Sequence, residues 1–188
     1  MNSEVLLLVG PPGAGKGTQA DKLARARRLT KLSTGDMLRA QIRDGTDLGR
    51  AAKVIIDAGN LVFDEIIVGM VRTELEGQSP VRVLLDGFPR TAPQAESLDA
   101  LLHELAAPLT AVVLLDVETD ELVGRLVKRA EEQGRTDDND ATVRTRMRVY
   151  QEQTAPLVAY YEGKGKLRRV DGVGSVEEVF ARISEVLL

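Results

Sequence analysis

Four glycines surround one lysine in GPPGAGKGTQ, Gly10 to Gln19, directly after the apolar run EVLLLV. An ordinary turn at the end of a buried strand needs only one glycine. A glycine-rich loop that opens a helix turns several backbone N–H groups toward one point at the positive end of the helix dipole, which makes an anion nest. The glycines leave room for a phosphate to approach, and Lys16 brings a point charge to its outer oxygens. The stretch fits G-x-x-x-x-G-K from Gly10 to Lys16, but Gly17 follows the lysine where the strict pattern has Ser or Thr, and Thr18 comes one residue later. That departure argues against a direct hydroxyl contact to Mg²⁺ at this position. The loop points to nucleotide phosphates without naming a reaction, and no N-K-x-D string of a guanine-reading GTPase is present.

A second group lies in LLDGFPRT. Asp86 ends an apolar strand, where a carboxylate beside a phosphate loop holds Mg²⁺ or its waters. Magnesium keeps much of its hydration, so one or two carboxylates suffice. Arg90 follows the Asp-Gly-Phe-Pro turn and is read as a phosphate contact. In KLSTGDMLRA, Asp36 reads as the cap of a helix starting at Thr34-Gly35-Asp36, with Arg39 pointing back toward the anion-binding end. Arg125 and Arg129, four apart, share a helix face. Arg135 lies in a polar stretch, and on the helix after it Val143, Met147 and Tyr150 mark the buried side. At about 100° per residue, Arg144 and Arg148 point to solvent while Arg146 flanks the buried side.

These residues need a frame that brings loops to one edge. Short apolar runs alternate with segments of helical period, the pattern of a parallel sheet covered by helices on both faces, an α/β fold with a P-loop core. About five strands are expected: Val5–Val9, Leu29–Leu32, Val81–Leu85, Ala111–Leu115 and Leu167–Val170. Helices carry Leu98, Leu101, Leu102 and Leu105, and Leu48, Ala51, Ala52, Ile55 and Ile56. Ser175 and Glu178 form a capping box before a face of Val176, Val179, Phe180, Ile183, Val186 and Leu187. A helix from Asp140 should end or kink at Pro156. Two segments read as insertions into one domain of residues 1–188: residues 33–62, and Glu131–Asp140, which has no apolar residue and reads as a solvated, mobile loop.

Composition narrows the class. The 188 residues are 43% hydrophobic and 29% charged, enough for one core domain. A net charge of −4 argues against broad nucleic-acid or membrane-surface partners. Eighteen of the 25 basic residues are arginine, whose planar fork suits phosphates. With no cysteine, a thiolate zinc site and a disulfide framework are both excluded. VLLLV is too short for a signal or membrane span, so a cytoplasmic protein is expected.

GPPGAGKGTQ, LSTGDMLR, GNLV, LLDGFPRT, GRTDD and TAPLVAYY occur in the order seen in adenylate kinases, and the chain resembles the short-lid form over nearly its whole length. The resemblance implies a core (1–32, 63–129, 140–188), a nucleoside-monophosphate-binding insertion (33–62) and a short lid (130–139). It implies reversible phosphoryl transfer from Mg-ATP to AMP, giving two ADP, by a monomer that uses no zinc. By similarity, Gly13, Ala14, Gly15, Lys16, Gly17 and Thr18 hold the ATP phosphates, Arg129 at the lid hinge also contacts ATP, and Gly174 approaches the donor adenine through its backbone. Thr34, Arg39, Asn60, Leu61, Val62, Gly87, Phe88, Pro89, Arg90 and Gln94 match AMP-site positions. Arg135 and Arg146 match arginines reaching toward AMP and the transferred group, Arg125 matches another phosphate-facing arginine, and Asp86 matches the carboxylate that orients hydrated Mg²⁺. The catalytic set is then Lys16, Asp86, Arg90, Arg129, Arg135 and Arg146.

The attacking group would be an ionised phosphate oxygen, so no general base is required. The single histidine, His103, falls off its helix's apolar face and reads as solvated. A UMP/CMP-type kinase shares the architecture, but those relatives usually carry alanine and asparagine where this chain has Thr34 and Gln94. A glutamine amide can pair with an adenine edge as donor and acceptor, which favours AMP. A nucleotide-binding module without catalysis would have had no reason to keep Lys16, Arg39, Asp86, Arg90, Arg129, Arg135 and Arg146 together.

Overall fold

The computed structural model describes residues 2–118, 121–126, 128 and 139–188, with the Asp140 side chain set aside. Five parallel strands form the centre: β1 (Glu4–Val9), β2 (Thr30–Ser33), β3 (Arg82–Asp86), β4 (Leu109–Asp116) and β5 (Leu167–Asp171), in the order β2-β3-β1-β4-β5. The five expected strands are all present. β2 and β3 each sit one residue later than their apolar runs, because the ladder continues to Ser33 and Asp86, which pair with each other.

Around the sheet lie α1 (Lys16–Arg27), α2 (Thr34–Arg43), α3 (Asp47–Asp57), α4 (Asp64–Glu76), α5 (Ala92–Glu104), α6 (Asp140–Val149), α7 (Leu157–Gly163) and α8 (Val176–Val186). Residues 121–126 are also helical. Because side chains alternate across a strand, the central strands feed two cores. Val5, Leu7, Val83, Leu85, Val112 and Leu114 face Leu98, Leu101, Leu102 and Tyr161 on one side. Leu6, Leu8, Leu84, Val113 and Leu115 face Ala20, Leu23, Val179 and Ile183 on the other.

The 33–62 segment is two helices and a turn, and its Leu38, Ala52 and Val62 join the first core. Its face differs from the periodicity in one respect. Ala51 is exposed, and Gly49 is buried instead. A Cβ on Gly49 would lie 2.0 Å from the Gln41 carbonyl oxygen, so α2 and α3 meet backbone to backbone there. On α8 the capping box forms, with the Ser175 N–H donating to Glu178 Oε2 at 2.8 Å, but Val176 is exposed because it lies on the first turn, beyond the sheet. The helix from Asp140 does not run straight to Pro156. It widens into a π turn over Tyr150–Thr154, with the Ala155 N–H donating to the Tyr150 carbonyl, and α7 resumes beyond the proline. A π turn inside a helix re-aims its side chains and is common beside functional sites. Of the polar stretch 131–140, residues 131–138 lie outside the described residues, while Asn139 caps α6 by accepting the Thr142 N–H at 3.0 Å.

Candidate active site

The chain leaves β1 in one direction along the sheet and β3 in the other, so a crevice opens at the carboxyl ends of these neighbouring strands. Leu8 of β1 pairs with Asp86 of β3, which places the carboxylate one step below the glycine loop. Gly15 stands at the N-cap of α1 with φ +87° and no side-chain cap. The first N–H groups of α1 are therefore open to an outside acceptor, as an anion nest requires. Lys16 Nζ folds back over the loop, donating to the carbonyls of Gly10 at 2.8 Å and Pro11 at 2.9 Å. Ala14 is buried and shapes the loop from beneath.

Two cavities open along this crevice. The first is lined by Gly13, Gly15, Lys16, Gly17 and Thr18 of the loop, with Asp86, Lys31, Asp36 and Arg125 around them. The second is lined by Gly59, Asn60 and Leu61 after α3, Pro89 after β3, and Tyr150 and Thr154 of the π turn. Lys16, Arg39, Gly87, Arg90 and Arg146 line both. Four cationic side chains thus stand where two pockets meet.

Each of these side chains is positioned by its own element. Arg90 Nε donates to the Gly87 carbonyl at 2.8 Å, and Thr34 Oγ1 donates to the same oxygen at 2.9 Å. The Arg90 carbonyl in turn accepts from Thr154 Oγ1 at 2.8 Å, tying the turn after β3 to the π turn. Arg39 Nη2 pairs with Asp36 Oδ1 at 2.5 Å. Burial pushes the Asp36 carboxyl up, but the Arg39 guanidinium, the Ser33 hydroxyl and Lys31 outweigh it and hold the group below its ordinary value. The N-cap of α2 is Ser33 and not Asp36: Ser33 Oγ accepts the Asp36 N–H at 3.3 Å, which leaves the Asp36 carboxylate to orient Arg39.

Of the residues expected at the site, Thr34, Val62, Phe88 and Gln94 are buried and line neither cavity. Gln94, expected to face a base, is 2% exposed, with its carbonyl accepting the Arg90 N–H and its amino group donating to Asp64 at 2.7 Å. Gly174 lies in the exposed loop between β5 and α8, outside both cavities. Arg125 lines the first cavity, and its Nη1 and Nη2 donate to the Gly172 carbonyl at 3.2 Å. Arg144 and Arg148 are exposed and Arg146 is half-buried, as helical phase requires. Arg129 and Arg135 lie outside the described residues. Sequence reasoning did not single out Thr154, Asp64 or Lys31. Nothing in the local pattern of a threonine before Ala-Pro signals a π turn that aims it at Arg90.

A family model described as Adenylate kinase matches residues 8–166. The chain is 54% identical over 187 residues to an adenylate kinase of Deinococcus deserti, covering 96% of this chain and 95% of that protein. It is 52% identical over 179 residues to one of Stenotrophomonas maltophilia (95% and 96% covered) and 51% identical over 184 residues to one of Thermus thermophilus (98% and 97% covered). With a glycine loop, a strand-end aspartate and a shared row of cations between two pockets, the chain belongs to the adenylate kinase family, enzymes that move a phosphoryl group between ATP and AMP.

Proposed function

We propose that this chain transfers the terminal phosphoryl group of Mg-ATP reversibly to AMP, giving two ADP, with the loop cavity taking the donor and the cavity beside Asn60 and Leu61 taking the acceptor. The observation that carries this reading is the set of four cations, Lys16, Arg39, Arg90 and Arg146, lining both cavities. A phosphoryl group in flight spreads negative charge over its oxygens, and catalysis of its transfer is positioning plus charge stabilisation. Groups fixed before the reaction starts need no reorganisation as that charge develops.

In this reading the N–H groups of Gly13 to Thr18 cradle the donor phosphates, with Ala14 holding the loop's shape and Lys16 reaching the outer oxygens. Arg39 and Arg90 hold the acceptor phosphate, and Arg146 bridges toward the transferred group. Asn60, Leu61, Gly87, Pro89 and Arg90 wall the acceptor, with Val62 and Phe88 buried behind them. The acceptor's phosphate oxygen is the nucleophile and is already ionised at neutral pH, so no side chain need take a proton. Asp86 is 8% exposed at the end of β3 and lines the donor cavity. Among the described residues no group of three or more His, Cys, Asp or Glu is placed to hold a metal, and of the carboxylates lining the donor cavity Asp21 is paired with Lys31 and Asp36 with Arg39, so Asp86 is the one offered beside the phosphate nest. That donor set suits Mg²⁺, which takes one carboxylate, substrate phosphates and water. When bound, the ion would neutralise phosphate charge, with Asp86 orienting its hydration shell.

Roles for Arg129 and Arg135 across the transferring group, Gln94 at the acceptor base, and Gly174 at the donor base belong to the same proposal, as do a monomeric state and a cytoplasmic setting. Among the described residues no helix is long and apolar enough to cross a membrane. The test is ADP formation from Mg-ATP with AMP, CMP, UMP and GMP offered separately. Fast turnover with AMP alone is expected. Comparable turnover with CMP or UMP overturns the acceptor assignment, and binding of ATP and AMP without turnover overturns catalysis.

A further inference from the structure

Between the two cavities and the first core lies a contact that the catalytic reading does not use. Helix α3 ends at Asp57, and its last carbonyls have no partner within the helix, as at any helix C-terminus. Gly59 N–H closes on the Ile56 carbonyl at 2.8 Å and Asn60 N–H on the Ile55 carbonyl at 3.1 Å, a Schellman-type ending that leaves the Asp57 carbonyl directed outward. Thr142 Oγ1, on the first turn of α6, donates to that carbonyl at 2.9 Å across 85 residues of sequence. Thr142 is 5% exposed, so this hydroxyl would lack water to replace the bond.

The same turn of α6 receives Gly59. A Cβ there would lie 2.9 Å from the Thr142 carbonyl oxygen, 3.1 Å from Thr145 Cβ and 3.2 Å from Arg146 Cγ. Backbone therefore rests directly on helix at this point. On one side of the contact the chain proceeds to Asn60 and Leu61, which wall the second cavity; on the other it proceeds to Arg146, which lines both cavities. The width between that wall and that guanidinium is set where Thr142 meets Asp57.

We infer that Thr142 is a positioning residue for the acceptor site: its hydroxyl seats the end of α3 on α6 and so fixes the Asn60–Leu61 wall against Arg146. The inference rests on the assignment of the second cavity to the acceptor. Thr142→Val keeps the branched shape and removes the donor. Loss of one such bond corresponds to a rise in the KM for AMP of about three- to tenfold. The KM for ATP stays within about twofold, because the glycine loop that would hold the donor phosphates takes no part in the contact, which reaches the donor cavity through Arg146, and Thr142→Ser restores the AMP value. Thermal unfolding of all variants confirms that each is folded at the assay temperature.

Arg39→Ala is measured alongside to separate the two ideas. If Arg39→Ala raises the KM for AMP while Thr142→Val leaves it unchanged, or shifts both KM values equally, the positioning role is overturned. If Arg39→Ala leaves the KM for AMP unchanged, the acceptor assignment itself falls. A serine variant that fails to restore the AMP value while unfolding at the wild-type temperature also overturns the role, because the hydroxyl is then not what matters.

Discussion

The Gln94 side-chain carbonyl accepts the backbone N–H of Arg90 at 2.8 Å, so the glutamine braces the turn that carries a site arginine. Its amino group donates to Asp64 Oδ1 at 2.7 Å, while Asp64 Oδ2 accepts from Thr91 Oγ1 at 3.0 Å. The amide is thereby fixed in one orientation, and the carboxylate in one position.

Gln94→Ala leaves the Arg90 N–H and one Asp64 oxygen without partners. Leaving a buried group unmatched costs about 1–3 kcal/mol, and for a chain of this length each kcal/mol lowers Tm by about 2–4 °C. Gln94→Glu keeps an acceptor for Arg90 but sets a second carboxylate against Asp64. Like charges raise the pKa of the pair in the folded state, so the destabilisation is present above the ordinary carboxylate range and is relieved as pH falls. Thermal unfolding should show the Gln94→Glu deficit shrinking between pH 7.5 and pH 5, and more steeply than the Gln94→Ala deficit, which comes from a lost hydrogen bond to the Asp64 carboxylate and not from a second charge. A Gln94→Glu deficit independent of pH would mean that Asp64 does not feel the new charge.

Gly87 separates activity from stability. It has φ +76°, and a Cβ there would lie 2.8 Å from Arg90 Nη2 and 3.4 Å from Thr34 Oγ1. Gly87→Ala carries a left-handed strain of about 1–2 kcal/mol, and the flexible Arg90 guanidinium moves aside more readily than the backbone. Misplacing a charge-stabilising group by about an ångström can cost about 10²-fold in rate. Steady-state kinetics should therefore show a loss in kcat well beyond what the modest fall in Tm suggests. Wild-type kcat in this variant would mean that the Arg90 position seen here is not the working one.

Asp36 gives an acid-side signature. Its folded-state pKa lies below the ordinary value, because Arg39, Ser33 and Lys31 outweigh its burial. A depressed carboxylate contributes stability that is present above its unfolded pKa and lost as pH falls through the folded one. Asp36→Asn removes that contribution, so wild type and variant should converge in Tm as pH falls from 6 toward 3. Parallel curves over this range would assign the depressed value no part in stability.

The sheet was legible because its evidence is local. Val5–Val9 and Val81–Leu85 are unbroken apolar runs, and a strand buried on both faces leaves no other trace. The loop was legible for the same reason, since four glycines around Lys16 have few other uses. What the sequence did not disclose depends on contacts across many residues. The capping role of Ser33 rather than Asp36 turns on which oxygen meets one N–H, and both residue types cap equally well. The burial of Gly49 in place of Ala51 follows from how closely α2 approaches α3, which periodicity does not encode. The contacts of the Gln94 amide to Arg90 and to Asp64, thirty residues away in the chain, likewise lie outside any local pattern.

The loop between β5 and α8 is held from three elements, which yields the last prediction. Arg182 Nη1, on α8, donates to the Asp171 carbonyl at 2.8 Å and the Val173 carbonyl at 2.7 Å. Arg125 holds the Gly172 carbonyl, and Gln19 of α1, itself 3% exposed, donates to the Val176 carbonyl at 3.0 Å. Gly174, proposed to present its backbone to the donor base, sits in the middle of these anchors. The Arg182 side chain is 38% exposed, so its ion pair with Asp171 adds little stability. Its two carbonyl bonds instead fix the path of the loop. Arg182→Ala should raise the KM for ATP about three- to tenfold while leaving the KM for AMP and Tm nearly unchanged, the reverse of the pattern expected for Thr142→Val. Equal shifts in both KM values would show that the loop sets the shape of the whole crevice, and no shift in either would remove Gly174 from the donor site.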